Sequence, residues 1–348
     1  MALNNQVRTE VAGSAARLDQ IQALRGIAAI LVVASHIHFF GRGAFGVDIF
    51  FCISGFIMMH VTRKDTRSFL AKRVIRVVPL YWLLTLVLFC IASIKPQLFN
   101  SAEASYEFLV KSLLFIPFDR NGYVEPLLGP GWTLNYEMFF YVLFYISFRI
   151  SHEKRMLICT LLITWLVVMG VVYQPAETLL KFYTSPMLFE FCFGMLAYHI
   201  YSRLEHVSWS GVERGLAGIA IVMLGGWLFY SSIEGRQYYR YLIWGVPSLL
   251  VFVLTILALR DVPIWHGVKK LGDISYSLYL THIFIVLGFD RLVVSFNEFN
   301  ALALGVAGVA LLTCLVVAFY TWRLFEVKLG HLLSARFLPS YSNHKVAA

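Results

Sequence analysis

Charge is scarce in this chain. Asp, Glu, Lys and Arg make up 14% of its 348 residues and hydrophobic residues 59%, against roughly a quarter and about a half in a soluble globular chain. So little charge excludes a water-exposed surface over most of the molecule. With a mean hydropathy of +0.71, the apolar residues need lipid as their solvent. Cysteine is also sparse. Cys52, Cys90, Cys159, Cys192 and Cys314 are odd in number, lie inside apolar segments and show no Cys-x-x-Cys or Cys/His spacing, which argues against a disulfide framework and against a metal site. Residues 1–20 lack an apolar core and a small-residue cleavage site, so the expectation is an uncleaved first helix rather than a removed signal peptide. No repeat of fixed period and no pair of similar halves is visible, as many transporters would show.

What is present is a succession of apolar runs. Ten stretches approach the roughly 20 residues needed to cross the hydrocarbon core: about 22–40, 44–62, 75–95, 131–150, 156–173, 183–202, 211–230, 240–260, 271–294 and 301–326. The stretch 109–118 is too short to span and reads as an interfacial or re-entrant piece. The net charge of +9 does not indicate nucleic acid, because the basic residues fall in short loops between apolar runs and act as topology determinants. With the N-terminus in the cytoplasm, 21 of the 29 Lys and Arg lie on that side. The fold expected is all-α, a polytopic integral membrane helical bundle of about ten transmembrane helices with both termini cytoplasmic. Residues 1–21 form a cytoplasmic segment, 22–328 the membrane domain and 329–348 a cytoplasmic tail. The loop at about 96–130, with Pro96, Pro117, Pro126 and Pro130, is a candidate lid over a site opening outward. With no soluble domain expected after the tenth helix, any chemistry belongs to the bundle.

Ionisable side chains inside membrane segments cost several kcal/mol if they face lipid, so each is a candidate functional or pairing group. They are Arg25, His36, Asp48, Glu137, Glu190, Asp273 and His282, with Glu326 at a helix end. Arg25 and His36 are eleven residues apart, close to three helical turns, which places both on one face about 16 Å apart. Arg25 then lies near the cytoplasmic edge, whereas His36, Asp48, Glu137 and Glu190 share the outer half. For each the bland reading is helix glue, and for Glu190 and Asp273 it weighs as much as a functional one. Histidine passes protons near neutral pH and a neighbouring carboxylate would orient it, which favours His36 as a general base with Asp48 or Glu137 behind it. On the cytoplasmic side, Arg63, Lys64 and Arg67 suit the positive-inside pattern. Arg73 and Arg76 run into the helix on one face and match phosphate geometry. Trp132 is placed as an interfacial anchor, but Asn135, Tyr136 and Glu137 are harder to explain so, and aromatic faces with hydroxyls suit a sugar.

These residues resemble the transmembrane acyltransferase family 3, which acylates sugars of bacterial surface polysaccharides and related acceptors. The likeness rests on Arg25-x10-His36, Gly46-Val47-Asp48-Ile49-Phe50-Phe51 with Ser54-Gly55-Phe56, and Arg73-x-x-Arg76 with Pro79, Tyr81 and Trp82. It continues through Trp132-Thr133-Leu134 with Glu137, Phe189-Glu190-Phe191 with Gly194, Ser275-Tyr276-Ser277 with Tyr279 and His282, and Phe325-Glu326. Where many members carry two successive glutamates, this chain has Glu137 followed by Met138, as in the branch named for exopolysaccharide production (ExoZ-like). The resemblance implies an O-acyltransferase of the bacterial inner membrane, with acetyl-CoA or another acyl-CoA as co-substrate and no permanently bound cofactor. It implies His36 as the essential histidine, with Asp48 and Glu137 expected beside it in catalysis, and Arg25, Arg73 and Arg76 at the donor. Trp132, Asn135, Tyr136, Glu190, Tyr279 and His282 would then face the acceptor, a polysaccharide or lipid-linked oligosaccharide. Other readings of the buried polar groups are a transporter or flippase for a lipid-linked sugar or acyl group, and a non-catalytic scaffold of a polysaccharide synthase.

Overall fold

The structure is a computed structural model that describes residues 2–37, 40–63, 68–95, 105–120, 122–231, 233–234, 236–293 and 301–338. Lys64, Arg67 and Pro96 lie outside the described residues. The chain divides into two compact units, one of Met1–His60 and Phe189–Ser275, the other of Val61–Leu188 and Tyr276–Ala348.

In the first unit α1 (Ala2–Ser35) leads through a turn to α2 (Gly46–Val61), followed by α8 (Phe189–Leu204), α9 (Gly211–Tyr230), α10 (Val246–Ala258) and α11 (His266–Asp273). α1 lies against α11, where a Cβ at Gly272 would overlap the Gln22 carbonyl. Gln20 Nε2 donates to the Leu259 and Val262 carbonyls at 2.6 and 2.8 Å, satisfying acceptors past the end of α10, where no helical partner remains. α2 and α8 touch backbone to backbone: a Cβ on Gly55 would strike the Phe191 carbonyl, and one on Gly194 the Cys52 carbonyl. Phe56 fills the adjacent space edge-on against Tyr198, Tyr201 and Phe252.

The second unit holds α3 (Phe69–Ile94), α4 (Tyr106–Leu113), a two-stranded hairpin of β1 (Asp119–Arg120) and β2 (Tyr123–Val124), α5 (Trp132–Ile150), α6 (Arg155–Tyr173), α7 (Thr178–Tyr183), α12 (Ser275–Val293, whose first residue falls in the other unit), α13 (Ala301–Thr321) and α14 (Gly330–Phe337). α3 and α5 run antiparallel. Phe69 packs on Tyr141, Phe144 and Phe148, while at the other end a Cβ on Gly131 would touch the Tyr81 ring. The segment expected to be a lid is packed down: Tyr81 donates to Ser112 O at 3.1 Å, Trp82 to Leu113 O at 2.8 Å, and Leu127 N to Ser112 Oγ at 2.9 Å.

Among the described residues five helical spans are each long and apolar enough to cross a membrane, or six if α11 and α12, broken at Ile274, count as one. Their apolar faces turn outward: Leu161 and Trp165 of α6 are each 58% exposed, and Val212 and Val222 of α9 each 74%. Apolar stripes this continuous require a lipid surround, and the molecule is a membrane protein. Several expected spans differ in detail. The run at 183–202 is split into α7, a 3₁₀ turn at Pro186–Leu188 and α8, so Glu190 stands in the first turn of its helix rather than two turns in. The run at 240–260 opens with a π turn, Tyr241–Gly245, and the last helix passes through another, Trp322–Leu329. α1 ends at Ser35, so His36 lies just past the helix instead of on its face. The chain turns there with Gly41 and Gly43 at positive φ, a conformation glycine reaches without a Cβ clash.

Candidate active site

Within the first unit, His36 sits exposed at the start of the α1–α2 turn. Its Nδ1 lies 2.9 Å from the Val32 carbonyl and 3.3 Å from Ser35 Oγ. A carbonyl oxygen only accepts, so Nδ1 is the donor, and in the neutral ring the lone pair then falls on Nε2, the tautomer a general base requires. Arg25 is half-buried three turns down α1, its Nη1 3.4 Å from Gln22 Oε1.

Asp48, in the first turn of α2, is wholly buried. Both of its oxygens are held by Arg240, with Nε to Oδ1 at 3.1 Å and Nη2 to Oδ2 at 2.7 Å. Nη2 also donates to the Ala44 carbonyl at 3.2 Å, and the guanidinium lies 4.8 Å over the Trp244 ring. Glu190 is equally buried, its electrostatic neighbours are Asp48 and Arg240, and both its oxygens are without a hydrogen-bond partner among the described residues. Asp48 and Glu190 do come together, as their shared depth suggests. The residue that sequence reasoning misses is Arg240, the first residue of the run at 240–260. Two buried carboxyls in one unit demand a buried cation, and an arginine entering an apolar run is the available signal.

In the second unit, antiparallel packing brings Arg73, one turn beyond Phe69, level with Glu137, one turn before Tyr141. Arg73 has Tyr141, Arg76 and Glu137 as its electrostatic neighbours, and Tyr141 donates a hydrogen bond to Glu137 Oε1. Glu137 therefore stands beside the arginines of this unit. Arg76 is exposed and Arg73 half-buried, and Arg73 Nε is buried without an acceptor among the described residues. A cationic group with an unused donor is suited to an anion.

The expected acceptor residues of this unit are largely used internally. Tyr136 is buried and stacked on Phe182 at 3.8 Å, with Trp132 at 6.0 Å edge-on. The Tyr279 hydroxyl meets Thr133 Oγ1 at 2.8 Å and the Pro130 carbonyl at 2.9 Å, which ties α12 to the start of α5. His282 is buried with Nδ1 2.7 Å from the Tyr279 carbonyl. Asn135 is buried with Oδ1 unsatisfied among the described residues. Glu326, placed by the second π turn, accepts from Ser277 N at 3.0 Å and Ser277 Oγ at 2.5 Å. Among the described residues no group of three or more His, Cys, Asp or Glu could hold a metal ion.

Residues 18–322 match the family described as an acyltransferase domain. The chain is 32% identical to the exopolysaccharide production protein ExoZ of Rhizobium meliloti (strain 1021), over 72% of this chain and 78% of that protein. It is 25% identical to BcsY of Komagataeibacter xylinus, named as a candidate membrane-bound transacylase, over 76% of this chain and 72% of that protein. It is also 25% identical to ORF330 of Acidianus two-tailed virus, named as a candidate acetyltransferase, over 76% and 82% respectively. No solved structure matches the chain. A family match across nearly nine-tenths of its length, over a helical membrane protein carrying the residues above, makes the chain a member of the transmembrane acyltransferase family 3, and an acyltransferase of its ExoZ-like branch.

Proposed function

We propose that the protein transfers an acetyl or other short acyl group from cytoplasmic acyl-CoA to a sugar hydroxyl of an exopolysaccharide or other surface glycan, in the bacterial inner membrane. In this reading the chain crosses about ten times, with both termini in the cytoplasm. The observation that carries the reading is the contact of His36 Nδ1 with the Val32 carbonyl at 2.9 Å, which in the neutral ring leaves Nε2 as the base. His36 takes the proton of the sugar hydroxyl as that oxygen attacks the thioester carbonyl. The carbon–oxygen bond forms, the carbon–sulfur bond breaks, and the departing thiolate takes the proton back to leave as free CoA. The 32% identity to a protein named for exopolysaccharide production supports the acceptor class.

Arg25, Arg73 and Arg76 hold the phosphates of the donor, and the unused Nε of Arg73 supports this assignment. Trp132, Asn135 and Tyr136 serve the acceptor, with Tyr279 and His282 shaping that region from behind. Glu137 tunes the arginine group through Tyr141, and Asp48 and Glu190 act through Arg240. Purified protein given acetyl-CoA and a polysaccharide repeat unit should release CoA, and His36→Ala should slow that release by about 10²-fold or more. Release unchanged in His36→Ala would rule out its role as base. Calorimetric titration of CoA into the Arg73→Ala, Arg76→Ala double variant should show at least a tenfold loss of affinity, about 1.4 kcal/mol.

A further inference from the structure

We infer that Arg240 is a positioning residue for the transfer reaction, acting as a clasp that fixes the turn carrying His36. The inference rests on the reading of His36 as base. The described residues between α1 and α2, 36–37 and 40–45, are not helical and make only short-range backbone hydrogen bonds, so their placement against the rest of the unit depends on side-chain and packing ties. Several ties are present among the described residues, the buried Phe45 ring edge-on against Trp244 at 6.3 Å being one. Gly43 lies against α1 so closely that a Cβ there would overlap the Leu31 carbonyl. Arg42 Nη1 donates to the Phe229 carbonyl at 2.9 Å at the end of α9, but this arginine is exposed. Arg240 grips the far end of the turn through Ala44 O and, one turn on, through both oxygens of Asp48.

Arg240 is the buried charged tie. Its own placement is set by the π turn that follows it and by Trp244, whose Nε1 donates to Ser231 Oγ at 2.9 Å. It also faces the second carboxyl, Glu190. Without the guanidinium, Asp48 would be left as an uncompensated buried carboxylate beside a second carboxyl, Glu190, and could keep its place only at high cost. The turn would then lose its inner anchor, and an error of the order of 1 Å at a reacting group costs about 10²-fold in rate.

The test uses full-length protein in lipid nanodiscs. In Arg240→Gln, kcat for CoA release should fall by about 30- to 100-fold while KM for acetyl-CoA changes less than about threefold, since the donor arginines are untouched. Amide hydrogen exchange of the 36–45 peptide should rise by at least about tenfold, as a segment losing its anchor opens more often. Arg240→Lys, which keeps the charge without the fork, should fall between the two in both readouts. Should Arg240→Gln fail to fold, the Arg240→Gln, Asp48→Asn pair removes both charges together, and the exchange of 36–45 is read there. A folded variant with wild-type exchange over 36–45, or with wild-type kcat, overturns the inference. CoA release unchanged in His36→Ala would instead sink the base assignment, which the exchange readout does not depend on.

Discussion

Tyr141 touches both halves of the arginine group: its hydroxyl donates to Glu137, and Arg73 is its neighbour. As long as that hydrogen bond occupies the carboxylate, Glu137 competes less for the guanidinium that a phosphate would use. Tyr141→Phe should therefore raise KM for acyl-CoA several-fold with kcat little changed, and lower stability by about 1 kcal/mol for the lost hydrogen bond. Steady-state kinetics with a thermal melt separates the two effects, and an unchanged KM would show that Glu137 does not compete for the donor site. The same residue shows how much is legible in the sequence. Glu137, Arg73 and Arg76 are visible as charges that lipid does not tolerate, but their partnership depends on the register of α3 against α5, which Phe69 sets by packing on Tyr141, Phe144 and Phe148. No periodicity encodes that register. Depth counted from each helix end does not show this partnership, because α3 begins at Phe69, six residues earlier than its apolar run. Arg240 is hidden for a related reason, since a cation at the mouth of a span reads as a topology marker until its carboxylates are seen.

At the scale of elements, the crossing of α2 and α8 is the tightest contact built from small residues. Gly55 and Gly194 place their backbones where a Cβ would overlap a carbonyl oxygen, and close approach of this kind is a principal source of helix association in lipid. Gly194→Leu should push the helices apart and displace both Asp48 and Glu190, which begin them, so folded yield and activity should fall together with at least about 3 kcal/mol of destabilisation. A Cβ on Gly305 in α13 would meet nothing within 4 Å, so Gly305→Ala should be neutral or slightly stabilising, by up to about 1 kcal/mol. Comparing the detergent melting curves of the two variants checks the pair, and similar losses in both would mean that the crossing is not special. The existence of the helices is legible from apolar runs, because hydropathy reports which residues need lipid. The breaks at 184–188, 241–245 and 274 are not, because a π turn or a short 3₁₀ segment leaves composition almost unchanged while altering where the next side chain points.

For the whole molecule, the number of crossings decides which side of the membrane each polar group faces. α5 and α8 fall short of the apolarity or length of a free-standing span: α5 carries Asn135 and Glu137, and α8 has 16 residues with Glu190 near its start. A helix whose polar residues face protein instead of lipid can still cross, and 19 residues of α5 reach about 28 Å, close to the hydrocarbon thickness. If both cross, the exposed positions Tyr123, Glu153, Glu177 and His206 alternate outside, inside, outside, inside. Single cysteines placed at each, in a background with the exposed Cys90 replaced by Ser, should react accordingly. Tyr123→Cys and Glu177→Cys should take a membrane-impermeant maleimide in intact cells, Glu153→Cys and His206→Cys only after permeabilisation. Labelling of Glu153→Cys from outside would remove α5 from the crossing set, and with it the placement of Arg73 and Arg76 on the cytoplasmic side proposed for the donor, since α3 and α5 run antiparallel and share that end.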